Sequence, residues 1–331
     1  MDAYDYGLPE AAIAQEPAEP RSAARLLVAT DPGGGVVHAR VADLASLLGP
    51  GDLVVVNDSK VLPARLGLRK ATGGAVEVLL LEQMSPTEPS WWQALLSRSR
   101  RVSPGDTLYA GDQAAVEVGE VLPGGRRMVK LLDPALPEAH GVLPLPPYLH
   151  QPLADPSRYQ TVYARRPGSV AAPTAGLHLD RPLLDALAGA GVALATVELS
   201  VGLDTFRPVT AERPEDHVIH TEAYVVPPET MEACARARRV VAVGTTTVRA
   251  LETVAATGEG SGRTSLYIHG EYDFRVVDVL LTNFHLPRSS LLLMVESFAG
   301  PRWRELYRVA LAEGYRFLSL GDAMLVGRGG S

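Results

Sequence analysis

A single cysteine, Cys234, stands among 331 residues. No disulfide can form within the chain, and such sparing use of thiols fits a reducing cytoplasm. Lysine is almost as scarce. Only Lys60, Lys70 and Lys130 occur and the other strong cations are arginine, a bias that points to genome base composition rather than function. No apolar run approaches the roughly 20 residues of a bilayer-spanning helix; Ser289 to Val295 falls far short. Residues 1–10 lack both a basic region and an apolar run, so no export leader is expected and a cytoplasmic location is. The formal net charge of −7 argues against a surface coated for nucleic-acid binding and leaves room for a local basic patch. What remains is globular in composition, with 46% hydrophobic residues and enough length for one large domain or two ordinary ones.

The most informative stretch is Val170 to Leu179, made of small residues, a proline, a hydroxyl and a histidine. A helix start follows at once. Asp180 suits the cap, Pro182 the first turn, and Leu183, Leu184 and Leu187 form an apolar stripe ending near Gly189 and Gly191. So few bulky side chains let backbone approach a ligand closely, with Thr174 and His178 at the mouth of the helix, where free N–H groups gather. The same grammar recurs. Arg239 to Val243 reads as a buried strand, Gly244 to Thr247 as a polar turn and Val248 to Val254 as helix. Val276 to Leu281 reads as strand, Thr282 to Pro287 as turn and Ser289 to Phe298 as buried helix, while Leu53 to Val56 ends in Asn57-Asp58-Ser59-Lys60. Continuous apolar strands with polar ends are the product of a sheet covered on both faces, and their carboxyl ends converge on one crevice. Four such ends predict one shared site.

Between Val61 and about Leu145 the pattern changes to short runs separated by turns, among them Gly74 to Leu80, Ser90 to Leu95 and Ala115 to Val118, with a hairpin turn at Pro123-Gly124-Gly125. The expected fold is therefore α/β: a barrel-like or open α/β main domain, residues 1–60 and 151–331, interrupted by a small antiparallel β-barrel domain, residues 61–150. Leu143 to Tyr148 is a stiff proline-rich connector. Gly258 to Gly262 is expected to be a surface loop and Gly327 to Ser331 a frayed tail. From Val61 to Ala110 six basic residues face four acidic ones. Arg65, Arg98, Arg100 and Arg101, near Trp91 and Trp92, could grip a nucleic-acid backbone, or simply form the solvated face of a barrel whose tryptophans are core.

His217 to Glu222 invites a metal reading, yet its spacing matches no zinc signature and no cysteine cluster supports it. Hydrogen-bonding or acid–base roles for His220 and Glu222 at a crevice rim suit the residues better, beside a plain structural role. Gly244 to Arg249 offers hydroxyls and backbone N–H groups at a helix start with a guanidinium one turn on, a set suited to a carboxylate or phosphate; alternatively Arg249 pairs with Glu252. The P-loop and dinucleotide glycine spacings are absent, as is the Gly-x-Ser-x-Gly of a serine hydrolase. Cys234, on a surface helix expected over Glu229 to Arg239, does not look like a nucleophile.

Read in order, Tyr4 to Pro9, Ile13 to Gln15, Val56 to Arg65, Pro144 to Tyr148, Tyr159 to Tyr163, Ala171 to His178, Gly244 to Arg249, Thr282 to Pro287, Tyr315 to Phe317 and Gly321 to Met324 resemble the S-adenosylmethionine:tRNA ribosyltransferase-isomerase family of queuosine biosynthesis. The resemblance implies an α/β domain interrupted by a β-barrel. It also implies transfer and isomerisation of the ribosyl moiety of S-adenosylmethionine onto 7-aminomethyl-7-deazaguanine in tRNA, giving epoxyqueuosine and releasing adenine and methionine. S-adenosylmethionine would be consumed as a co-substrate, with no cofactor and no metal. The partners implied are S-adenosylmethionine and a tRNA carrying a deazaguanine, with no membrane, and the chain is expected to act as a monomer. On this reading Asp58, His178, His220 and His285 are the residues for proton work. Thr174, Gly176, Thr245, Thr246, Arg249 and Asn283 hold the substrate, and Arg65, Arg98, Arg100 and Arg101 contact nucleic acid. Where the family carries Leu-His-Val-Gly-x-Gly-Thr-Phe, this chain reads Leu199-Ser200-Val201-Gly202-Leu203-Asp204-Thr205-Phe206, and a Pro-Gly-Tyr turn appears as Gly270-Glu271-Tyr272. Serine cannot carry protons near neutral pH as histidine does. Two alternatives therefore stand beside the first. One is a divergent paralogue acting on S-adenosylmethionine with a small-molecule acceptor and no tRNA; the other is a non-catalytic S-adenosylmethionine- or RNA-binding protein.

Overall fold

The computed structural model describes residues 1–84, 88–202 and 209–329. They divide into two compact units, Met1–Ser59 with Pro147–Arg166 and Ala172–Ser331, and Lys60–Pro146 with Pro167–Ala171. Strands are numbered along the whole chain. The first unit holds β1 (Arg25–Ala29), β2 (Val37–Arg40), β3 (Asp52–Asn57), β13 (Ala193–Leu199), β14 (Glu222–Val225), β15 (Arg239–Val243), β16 (Ser261–Thr264), β17 (Val279–Asn283) and β18 (Ala323–Gly327). The second holds β5 (Arg65–Lys70), β6 (Ala75–Gln83), β7 (Trp91–Leu96), β8 (Thr107–Ala110), β9 (Gln113–Val121), β10 (Arg127–Leu131) and β11 (Gly141–Val142), while β4 (Ser59–Val61) and β12 (Arg166–Ser169) run where the chain passes between units.

The first unit is an open nine-stranded sheet in the order β16–β14–β13–β3–β15–β17–β18–β1–β2. Its centre, β13, β3, β15 and β17, is parallel throughout. β18 returns antiparallel to β17. Every residue of β3, β17 and β18 is buried, as expected when layers cover both faces. On one face Val54, Val56, Val241, Val243, Val279 and Leu281 pack with Leu183 and Leu187 of the helix Arg181–Gly189. The helix Thr245–Thr257 packs on β13, β3 and β15. Register aligns the parallel strands: Val56 lies opposite Thr196 and Val243, and Val243 opposite Leu281. Asn57, Gly244 and Thr282 therefore stand at one level at the carboxyl ends of their strands, and the polar ends read from the sequence share one edge.

The second unit closes. Strands β5–β6–β7–β10–β9–β8 pair in sequence and β5 pairs with β8, all antiparallel, giving a six-stranded barrel with β11 added beside β5. Alternate residues point inward, as in β7, where Trp92, Ala94 and Leu96 are buried. Closure removes the exposed sheet edges that invite aggregation.

Three local expectations are corrected. Gly258 ends the helix Thr245–Thr257 with φ of 77°, but Ser261 and Gly262 of the expected loop open the edge strand Ser261–Thr264, which pairs with β14. Gly327 belongs to β18 and a Cβ there would overlap the Thr30 carbonyl, while the Gly329 N–H donates to Phe298 at 2.7 Å. That part of the tail is packed rather than frayed; Gly330 and Ser331 lie outside the described residues. The helix carrying Cys234 runs Pro228–Arg236 and turns the thiol inward, 8% exposed, with its pKa pushed up to about 11 by burial. No helix among the described residues is long and apolar enough to cross a membrane.

Candidate active site

The edge where the parallel strands end is built by side chains that tie neighbouring strands together. Asn57 donates to the Leu199 carbonyl at 2.9 Å and its Oδ1 accepts from the N–H groups of Ser59 and Leu199, joining the ends of β3 and β13. Gly244 leaves β15 with φ of 89°, a conformation that favours glycine, and so turns the chain directly into the helix Thr245–Thr257. The first N–H groups of that helix have no carbonyl of their own helix to bond. Thr245 and Thr246, at this helix start, line a small cavity together with Thr174, Thr282, Asn283, His285 and Leu291.

Behind this wall the polar groups are ordered in one direction. Thr174 Oγ1 donates to Asn283 Oδ1 at 3.0 Å, and Asn283 Nδ2 sits 2.9 Å from His178 Nε2 and 3.1 Å from the Leu318 carbonyl. His178 is buried, and burial first, then the charges of Arg316 and Arg21, lower its pKa to about 4. His285 bonds Thr282 Oγ1 through Nε2 at 2.9 Å, its N–H donates to the Tyr307 hydroxyl, its carbonyl accepts from Tyr6, and burial lowers its pKa to about 3. Both imidazoles are neutral at pH 7.

A larger cavity of about 250 Å³ shares Thr245, Thr246 and Leu291 with the first and adds His217, His220, Glu222, Arg249, Tyr267 and Met294. Arg249 has four of its five guanidinium N–H groups engaged in its wall. It pairs with Glu222 and donates to the carbonyls of Leu266, His220 and Thr264 at 2.9, 2.9 and 3.0 Å. The pairing with Glu252 suggested by helical spacing does not form; Glu252 instead accepts the backbone N–H groups of Arg275, Val276 and Val277. No group of three His, Cys, Asp or Glu among the described residues is arranged to hold a metal.

Thr174, Thr245, Thr246, Asn283 and His285 thus meet at one cavity, with His220 and Arg249 at the adjoining one. His178 lies one layer behind rather than at the mouth. Asp58 is buried beside Arg165 and Arg166 and lines neither cavity; burial raises its pKa against the pull of both cations. Gly176 faces inward, where a Cβ would overlap the Tyr163 hydroxyl, so it serves packing. In the barrel, Arg65 pairs with Glu77 at 2.9 Å. Arg98, Arg100 and Arg101 are exposed on one turn following β7, and Trp91 stands at the other end of that strand, about 20 Å away at strand rise. Trp92 is buried. Asp204 lies outside the described residues, while Ser200 is half-buried and its N–H donates to the Ala223 carbonyl at 3.0 Å. Tyr267 and Leu291 escaped the sequence reading. Neither belongs to a strand-end motif, although Leu291 follows the Thr282–Pro287 turn closely enough to have been included.

A family model described as "Queuosine biosynthesis protein" matches residues 1–326. The chain belongs to this queuosine biosynthesis family. It is 50% identical to an S-adenosylmethionine:tRNA ribosyltransferase-isomerase of Rubrobacter xylanophilus over 99% of this chain and 98% of that one. The protein of the same name from Thermus thermophilus is 51% identical, with 98% and 99% covered. A crystal structure of S-adenosylmethionine tRNA ribosyltransferase from Thermotoga maritima superposes with a TM-score of 0.57 at 36% identity, covering 98% of this chain and 99% of that one. Family membership accounts for the presence of both an α/β sheet unit and a closed barrel.

Proposed function

We propose that the chain is an S-adenosylmethionine:tRNA ribosyltransferase-isomerase. It moves the ribosyl moiety of S-adenosylmethionine onto the aminomethyl arm of 7-aminomethyl-7-deazaguanine in tRNA and rearranges it, giving epoxyqueuosine, adenine and methionine. The observation that carries this reading is the meeting of Thr174, Thr245, Thr246, Asn283 and His285 at one sheet edge, in a chain that matches the family from end to end. The sulfonium acidifies the neighbouring 5′ carbon, so a positioned base can remove that proton; adenine must then depart as the ribosyl group rearranges. The start of the helix Thr245–Thr257 suits the methionine carboxylate, because its open N–H groups and helix dipole favour an anion. Arg249, committed to Glu222, shapes the pocket wall instead of serving as a mobile cation. Proton transfer falls to His220, the exposed histidine on the larger cavity, since His178 and His285 are poor proton acceptors at pKa values of about 4 and 3.

For tRNA, the exposed turn of Arg98, Arg100 and Arg101 supplies cations for the phosphate backbone. Its carbonyls are held from beneath: buried Arg127 donates to Ser99 and Val102 at 3.0 and 3.1 Å, and Lys70 to Arg101 at 2.6 Å. The decisive test is incubation with S-adenosylmethionine, with and without tRNA carrying the aminomethyl-deazaguanine. Adenine released only with tRNA is the expected result. Release without tRNA would point to a small-molecule acceptor, and binding without release to a protein that has kept the pocket and lost the chemistry.

A further inference from the structure

Leu318 is one of three described non-glycine residues with positive φ, at 69°, a conformation that residues bearing a Cβ rarely adopt. Its backbone grips the end of β17 from both sides: the N–H donates to the Phe284 carbonyl at 3.1 Å and the carbonyl accepts from Asn283 Nδ2 at 3.1 Å. A carbonyl can only accept, so Leu318 fixes which way the Asn283 amide faces. The consequence runs outward. The second Nδ2 hydrogen points at His178 Nε2, which must present a lone pair and keep its proton on Nδ1. Oδ1 then faces Thr174, whose single hydroxyl hydrogen is spent on it. Toward the cavity that Thr174 lines, its oxygen has only lone pairs left.

We propose that Asn283 is a positioning residue, held by Leu318 and His178, that makes Thr174 an obligate acceptor for a hydroxyl or ammonium donor of the bound substrate. The ligand class rests on the preceding reading that this cavity takes S-adenosylmethionine, whose ribose hydroxyls and ammonium are such donors. His178 is thereby a neutral prop and not a proton carrier, since protonating Nε2 would set two donors against each other. The lowered His178 pKa agrees with that role.

Two measurements test this, one needing no substrate. Side-chain ¹⁵N NMR of the full-length protein, with the His178 signals identified by their loss in His178→Gln, should show the Nδ1–H tautomer and no titration from pH 5 to 8. A proton on Nε2 at pH 7 overturns the proposal. In Asn283→Asp the carboxylate replaces the Nδ2 donor, and His178 should gain a titration within that range; a histidine that stays silent in a folded Asn283→Asp protein also overturns it. At the cavity, Thr174→Val should weaken S-adenosylmethionine binding by about tenfold, the worth of a hydrogen bond, while Thr174→Ser restores it. Unchanged binding by Thr174→Val defeats the acceptor role. A wild-type protein that does not bind S-adenosylmethionine defeats the functional reading and the ligand assigned to Thr174, whereas the tautomer result stands or falls by itself.

Discussion

Gly176 and Tyr163 show how far single residues can be read without their neighbours. The glycine was legible as part of a loop of small residues, but its reason for being small was not. The Tyr163 hydroxyl, buried without a hydrogen-bond partner, occupies the space a side chain would need. Gly176→Ala should cost about 1–3 kcal/mol by overpacking. Tyr163→Phe alone should be neutral or stabilising, because it deletes an unsatisfied buried group, and it should recover part of the Gly176→Ala loss. Denaturant unfolding of the four proteins in that cycle decides; additivity would show that the two sites do not meet. His178 and His285 set a pH dependence of definite sign. Both fold with pKa values lowered from 6.5, to about 4 and about 3, so the unfolded chain binds protons first as pH falls. Their contribution is present above pH 6.5 and is lost progressively below it, by about 2 kcal/mol per histidine at pH 5. Stability measured between pH 7 and 5 should fall steeply, and His285→Gln should flatten the slope. His220 is different in kind, exposed on a cavity wall, and His220→Gln should lower turnover about 100-fold or more while leaving the fold intact. The imidazoles and hydroxyls were visible in the sequence because each ends an apolar strand. Which of them face a ligand and which prop another residue depends on partners far along the chain, 109 positions apart for Thr174 and Asn283, and no local pattern carries that.

Elements were easier to read than residues, where their signals are local. The helix Arg181–Gly189 begins where a cap and an early proline predict it: Asp180 accepts from the Leu183 N–H at 3.0 Å and also from the Ser22 N–H at 3.2 Å. Asp180→Ala should therefore remove more than an ordinary cap, about 1–2 kcal/mol, because the Ser22 N–H of a distant segment is orphaned too. Asp180→Asn, which keeps an acceptor, should lose less; equal losses would mean that charge and not geometry holds the junction. Barrel strands were equally legible from alternation. The edge strand Ser261–Thr264 was not, because it begins inside the glycine-rich run Gly258 to Gly262, which reads as a turn, and only the distant β14 recruits it into the sheet. Arg249 fails locally for the same reason. Glu252 lies one turn away on the same helix, yet backbone N–H groups of 275–277 claim it first, and Glu222 on a neighbouring strand takes the guanidinium.

At the scale of the whole molecule, an acidic chain is asked to hold a polyanion. With a net charge of −7, the general field repels tRNA, so affinity has to come from a few clustered cations working at short range. Sequence counting put six basic residues against four acidic ones between Val61 and Ala110, but counting could not separate engaged cations from exposed ones. Folding does: Arg65 is tied to Glu77 and Lys70 to Asp106, while Arg98, Arg100 and Arg101 emerge together from one turn braced by Arg127. If this turn meets phosphates, each contact releases condensed counterion and adds about 0.9 to the slope of log affinity against log salt on duplex, or about 0.7 on single strands. Replacing Arg98, Arg100 and Arg101 together by alanine should weaken tRNA binding at moderate salt and lower that slope by about 2–3. Removing Arg65 alone should change it little, because that guanidinium is already neutralised. A slope that is the same in the triple variant and the wild type would take the turn out of the RNA contact, whatever happens to turnover.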